Sequence, residues 1–179
     1  MRIISPLTRV LPLILLACCA IAAQAATLSD FLGSYEGSAE FEIDGKMERR
    51  DMSATIAAKD DGFEVSWRSV IYKADGRIKD TSYTIDFLPS GRDGIYASAM
   101  KTNVFGKAEP LDPLKGEPFV WARFEGDTLT VFSLFINEVG GYEMQEYHRT
   151  LAEGGLELLF RRLNNGTPQR EIRTFLARK

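Results

Sequence analysis

Two carboxylates and the single histidine of the chain lie close together, and such side chains can transfer protons or bind a metal ion. They are Glu143, Glu146 and His148. In a β-strand, side chains alternate between two faces, so Glu146 and His148 share one face and Glu143 lies on the other. All three cannot then bind one metal ion. We predict a surface pair of Glu146 and His148, without a metal site or a cofactor.

The other reactive residue types restrict catalysis further. Cys18 and Cys19 both lie in the N-terminal segment interpreted below as a leader, so the rest of the chain has no thiol nucleophile and no disulfide. The single histidine excludes any Ser/His/Asp triad that does not include His148. An enzyme that uses His148, Glu146 or Arg123 for acid–base chemistry is an alternative, but these residues indicate no substrate class. We predict no catalytic residue.

Large amphipathic side chains occur in segments with an alternating pattern, and such side chains often line ligand cavities. Four aromatic residues and two polar ones form our predicted ligand-binding set, which is Trp67, Tyr83, Trp121, Arg123, Tyr142 and His148. The ligand expected in such a cavity is small and apolar. In the alternative interpretation the rings fill the core and leave no cavity, because a domain of this size needs aromatic side chains in its interior.

The interval 101–118 is the longest one without a strand pattern, and it contains three prolines. Loops longer than about 12 residues in compact domains are often functional lids. We therefore predict a lid whose apolar side chains are Phe105, Leu111 and Leu114. The alternative is a rigid surface loop that the same three side chains anchor to the domain.

The segments that position these residues have the pattern of β-strands. Asp-Gly, Gly-Gly and Asn-Gly pairs recur at intervals of about 10 to 17 residues and supply the positive φ angles that tight hairpins require. Between them apolar residues alternate with polar ones, as in Phe63, Val65 and Trp67. One short helical turn is predicted over 27–32. The fold class is all-β, with about nine or ten antiparallel strands.

Strands joined by consecutive hairpins form an up-and-down meander, and a long meander tends to close because free strand edges are costly. We predict a closed barrel, with room inside for side chains or for one small ligand. A strongly curved open sheet packed on the short helix is the alternative architecture.

The first 26 residues have the organisation of a signal peptide. Arg2 and Arg9 supply positive charge, the stretch 10–19 is apolar, and small residues favour cleavage after Ala25 or Ala26. The remaining residues are expected to form one exported domain, located in the periplasm or secreted.

An alternative interpretation of the leader is a lipobox over 15–18, with Cys18 lipidated after processing. No apolar segment of membrane length follows the leader, so residues 27–179 are expected to lack a transmembrane segment. The chain has 22 basic and 25 acidic residues and no basic stripe, which argues against nucleic acids and anionic membranes as partners.

Gly33-Ser34-Tyr35, directly after the predicted helical turn, resembles the Gly-x-Trp start of lipocalins and related calycin barrels. The segment 121–131 is similar to a late hairpin of such barrels. The resemblance implies a small barrel in which an aromatic residue of the first strand stacks on an arginine of the last strand. By position, Arg173 or Arg178 is then the partner of Tyr35.

An exported closed barrel is consistent with two functions from different classes. The first is an exported, lipocalin-like protein that binds a small apolar ligand in the barrel. The second is an envelope module with a filled barrel, which binds another protein through a sheet edge or through the 101–118 segment. The second function predicts no pocket larger than roughly 300 Å³.

Overall fold

The computed structural model describes residues 26–43, 45–103 and 105–179. Apart from its last residue the proposed leader, and Cys18 with it, lies outside the described residues. The described part is all-β except for a helix at Leu28–Phe31 (α1) and a 3-10 turn at Pro113–Lys115. The predicted N-terminal helical turn is therefore confirmed. No helix in this part of the chain has the length and apolar composition needed to cross a bilayer.

Twelve strands are formed within the described residues. They run over Gly33–Ile43 (β1), Lys46–Lys59 (β2), Gly62–Tyr72 (β3), Ile78–Pro89 (β4), Ile95–Ser98 (β5), Lys101–Thr102 (β6), Ala108–Glu109 (β7), Phe119–Glu125 (β8), Thr128–Ile136 (β9), Tyr142–Ala152 (β10), Gly155–Asn164 (β11) and Thr167–Arg178 (β12).

Ten of these strands form a closed antiparallel barrel in the order β1-β12-β11-β10-β9-β8-β5-β4-β3-β2. Apart from β5 and β8, consecutive strands of the ring are also consecutive in the chain, and β1 pairs with β12 to close it. The short strands β6 and β7 pair with each other outside the ring. The prediction of a closed up-and-down barrel is confirmed, and the open-sheet alternative is wrong.

The hairpins form where the sequence predicts them, as the turn between β11 and β12 illustrates. Asn165 and Gly166 have φ angles of 48° and 78°, which is the backbone of a tight hairpin turn. The Asn165 side chain also accepts a hydrogen bond from the backbone N–H of Tyr142, at 2.8 Å. This contact joins two neighbouring loops at the same end of the barrel.

The two ends of the barrel differ in packing. We call the end that carries α1 and the turn at 126–127 the closed end, and the end with the turns at 73–77 and 137–141 the open end. The closed end is filled by almost fully buried side chains, which are Phe31, Tyr35, Ile56, Phe63, Phe87 and Leu129. Their burial removes a large apolar area from water and is the main favourable term in the stability of the fold.

Arg178 holds α1 against the closed end. Its guanidinium carbon lies 5.1 Å from the centre of the Tyr35 ring, and it donates to the carbonyl oxygens of Leu32 (2.7 Å) and Asp30 (2.8 Å). The Tyr35 hydroxyl donates to the carbonyl oxygen of Phe31 at 2.7 Å. The arginine–aromatic contact expected between the first and last strands is thus present for Arg178. The other candidate partner, Arg173, is paired with Glu171 at 2.8 Å.

Candidate functional site

A cavity of about 210 Å³ lies inside the barrel, towards the open end. Its apolar and aromatic lining consists of Met52, Ala54, Trp67, Ile71, Tyr83, Tyr147, Leu158, Phe160 and Leu176. The volume is below the roughly 300 to 1,000 Å³ that is usual for drug-sized ligands. The cavity therefore suits a short ligand, or the inner end of a longer one.

Trp67 and Tyr83 are brought together in this cavity. They are directly opposite each other on β3 and β4, and their ring centres are 5.3 Å apart in a stacked arrangement. Tyr147 lies 5.4 Å from Trp67, and Phe160 lies 4.9 Å from Tyr147. These four rings form one wall that runs from β3 and β4 across the lumen to β10 and β11.

The sequence-based set does not include Tyr147 and Phe160. The signal that could have found Tyr147 is the alternation in β10, where Tyr147 is out of phase with His148. His148 lies on the outer face of β10, and Tyr147 lies on the face that points into the barrel.

Trp121, Arg123 and His148 lie on the outer face of the barrel. Their neighbours Val120 and Ala122 are buried in the core, so the alternate side chains of β8 point away from it. Trp121 stacks on Phe132 with ring centres 4.8 Å apart. The structure therefore does not bring these three residues together with Trp67 and Tyr83.

The outer face also carries the pair that alternation predicts in β10. The His148 Nε2 atom lies 3.0 Å from a Glu146 carboxylate oxygen, and its Nδ1 atom lies 3.0 Å from the Thr130 hydroxyl. Glu143 lies on the opposite face and pairs with Arg162. Within the described residues, no three His, Cys, Asp or Glu side chains are grouped so as to bind a metal ion.

Tyr142 and the 101–118 segment lie away from the cavity. Phe105 and Leu114 are 89% and 82% exposed, so these two side chains do not anchor the segment, while Leu111 is half-buried. Instead, the Asn103 side chain accepts from two backbone N–H groups of the β6–β7 turn. None of the described residues of this segment lines the cavity.

Strand pairing around the barrel is incomplete along one edge of β4. Strand β5 pairs with only Phe87–Pro89 of β4, so the described residues 78–85 have a paired strand on one side alone, which is β3. Tyr83 belongs to this stretch and is 53% exposed although it lines the cavity. The cavity thus opens sideways, through the wall, next to Tyr83.

Burial shifts the ionisation of two neighbouring groups on the inner face of β10. Desolvation raises the pKa of Tyr147 to about 12, so its phenol is neutral at physiological pH. Desolvation lowers the pKa of Arg149 to about 10, which still leaves the guanidinium protonated at neutral pH. The interior of the barrel therefore holds a positive charge next to its aromatic wall.

No protein-family model and no curated protein sequence matches this chain. The closed antiparallel barrel of ten strands is compatible with a lipocalin-like barrel.

Proposed function

We propose that this chain is an exported protein of lipocalin-like shape that binds a small apolar ligand in the lumen of its barrel. The observation that carries this proposal is the lateral cavity beside Trp67 and Tyr83, with Leu158 and Phe160 in its lining. Apolar and aromatic walls with a few polar groups are typical of ligand sites. The closed end, in contrast, is packed with side chains and leaves the open end as the place for a ligand.

The two tryptophans offer a matched test, because one lies in the lumen and the other on the outer face. The probe is the neutral fluorophore N-phenylnaphthylamine, whose emission rises when it enters an apolar site. We expect one equivalent to bind, and we expect Trp67→Ala to weaken binding by about tenfold, since it removes an aromatic wall of the site. Trp121→Ala should change the dissociation constant by less than about twofold.

Circular dichroism of both variants would establish that the barrel is still folded. If the folded wild-type protein binds no probe, or if both variants weaken binding equally, lumen binding by this chain is refuted.

Export is tested separately by the mass of the protein recovered from the envelope or the medium of expressing cells. We expect a mature chain that begins at Ala26 or Thr27. An uncleaved chain would contradict export by this leader, and a lipid-modified N-terminus at Cys18 would favour the lipobox interpretation.

A second candidate function is protein binding through a sheet edge. Two observations favour it. The cavity in the lumen is smaller than roughly 300 Å³, and one edge of residues 78–85 of β4 has no paired strand among the described residues. Such an edge can accept an extended segment of another chain. If this function holds, a stoichiometric partner co-purifies with the exported protein and the neutral probe does not bind; a partner-free protein with probe bound excludes it.

A further inference from the structure

The polar part of the cavity lining is cationic. Five basic side chains of the inner face line it, and no carboxylate of the described residues does; the five are Arg50, Lys79, Arg149, Arg162 and Arg170. The whole chain, in contrast, has a formal net charge of −3. The composition therefore does not explain this accumulation of positive charge in one place.

One of the five cations is already neutralised by an acidic side chain, since Arg162 pairs with Glu143. For Arg50, Lys79, Arg149 and Arg170, no carboxylate of the described residues lies within ion-pair distance.

Arg149 is the most deeply buried of these cations, with 2% of its surface exposed. Among the described residues its Nε atom has no hydrogen-bond partner, and its side chain makes one hydrogen bond, a long one of 3.5 Å to the carbonyl oxygen of Tyr147. Its guanidinium carbon lies 5.8 Å from the Trp67 ring centre and 5.6 Å from the Tyr147 ring centre. Two aromatic faces offset only part of the cost of burying a charge.

Arg50 has a similar environment nearer to the open end. Its Nε atom is also buried and has no hydrogen-bond partner in the part of the chain that the structure describes. Its guanidinium carbon lies 5.4 Å from the Phe41 ring centre, and that of Arg170 lies 5.9 Å from the same ring. Two like charges thus share one ring, and an anion bound to Arg50 would relieve their repulsion.

We propose that the ligand of this cavity is an organic anion whose acidic group binds to Arg149 and Arg50 while its apolar body packs on Trp67, Leu158 and Phe160. This inference rests on the proposed ligand-binding function and specifies the chemical class of the ligand. A guanidinium donates paired hydrogen bonds to carboxylate, sulfonate or phosphate oxygens, which suits the Arg149 and Arg50 donors that have no partner among the described residues. The acidic group would enter first and the apolar body would extend towards the opening beside Tyr83.

The test compares two probes that share one skeleton. N-phenylnaphthylamine is neutral, and anilinonaphthalenesulfonate carries a sulfonate on the same rings. We expect wild-type protein to bind the sulfonate at least about tenfold more tightly than the neutral probe, as charge-assisted hydrogen bonds predict. Arg149→Met should abolish this preference and leave the affinity for the neutral probe within about twofold.

Arg149→Lys keeps the charge but loses the planar donor pair, and we expect it to retain part of the preference. Arg173→Met, which removes an arginine that is exposed on the outside of the barrel and paired with Glu171, is the matched control and should behave as wild type. Circular dichroism shows whether each variant is folded. If Arg149→Met is not folded, Arg50→Met serves as a second variant of the same site.

Several outcomes would overturn the inference. If both probes bind wild type equally, or if Arg149→Met keeps the preference, lumen binding stands and the anion inference fails. If neither probe binds, both the inference and the proposed function fail. If a tenfold excess of inorganic sulfate displaces the sulfonate probe, the site binds small inorganic anions and the requirement for an apolar body is wrong.

Discussion

The guanidinium of Arg149 lies against the face of Trp67, 5.8 Å from the ring centre, in the interior of the barrel. This contact joins the most buried cation of the described residues to the aromatic wall of the cavity. A charge in such a place lowers stability unless it is compensated, and here the aromatic rings compensate it only in part. Sites that bind ligands often retain groups of this kind at a cost in stability.

We therefore predict that Arg149→Met stabilises the ligand-free protein. Methionine fills a similar volume without a charge, and we expect the free energy of unfolding to rise by about 1 kcal/mol. Urea unfolding followed by circular dichroism measures this change, with Arg173→Met as the exposed control. A variant that is less stable than wild type would show that Arg149 is a net stabilising core residue.

Removal of Arg178 is expected to loosen the closed end. Its side chain donates to the carbonyl oxygens of Leu32 and Asp30, and both acceptors lose a charged donor in Arg178→Ala. We expect the free energy of unfolding to fall by about 1.5 to 3 kcal/mol. Arg173→Ala, on the same strand, should change the free energy of unfolding by less than about 0.5 kcal/mol. Equal losses in both variants would contradict the role of Arg178 in holding α1 against the barrel.

The Tyr147 phenol should affect stability at alkaline pH. Burial raises its pKa to about 12 from an ordinary value of 10.0, so the folded state favours the neutral form. The stability that this phenol contributes is complete below pH 10 and is lost as the pH rises from 10 towards 12. We expect wild type to lose more stability than Tyr147→Phe over this range, measured by urea unfolding in alkaline buffers.

The depressed pKa of Arg149 acts in the opposite direction, because its folded state gains stability as the pH rises above about 10. Arg149 is present in both proteins, so the difference between them reports the phenol. Identical pH dependence of wild type and Tyr147→Phe would mean that Tyr147 is effectively solvated.

Gly62 at the start of β3 is expected to tolerate no side chain. A Cβ atom there would overlap the backbone carbonyl of Phe87 on the neighbouring strand, which cannot move without disturbing the β3–β4 pairing. We predict that Gly62→Ala lowers the free energy of unfolding by about 1 to 3 kcal/mol, although alanine normally stabilises a strand relative to glycine. Ser66→Ala on the same strand is the control, and a stabilised Gly62→Ala would contradict the contact.

Much of the fold could be predicted from local patterns. The turn pairs and the alternation, as in Phe63, Val65 and Trp67, predicted the strands. The resemblance to calycin barrels left Arg173 and Arg178 as candidate partners of Tyr35, and Arg178 makes the contact. The face on which each side chain lies was harder to predict for β8. The bulky Trp121 stacks on Phe132 outside the barrel, while the small Ala122 faces the tightly packed interior.

The cationic lining could not be predicted in the same way. Arg50, Arg149, Arg162 and Arg170 lie on β2, β10, β11 and β12, and a charged residue in an isolated strand is expected to face solvent. Only closure of the ring turns these side chains towards one cavity. A weaker signal was present, since Arg149 is in phase with Tyr147 and Leu151, and Arg50 is in phase with Met52 and Ala54.

Ring closure also has a consequence for how the chain folds. The pairing that completes the barrel joins β1 to β12, with Tyr35 opposite Arg178 near the other end of the sequence, whereas most other strand pairs are local hairpins. Closing so long a loop costs conformational entropy before this pairing adds any stability. Ring closure is therefore expected to be the slow step of folding, in the range of milliseconds to seconds. Until then β1 and β12 have exposed edges that can pair between molecules, and the yield of refolding should fall as protein concentration rises.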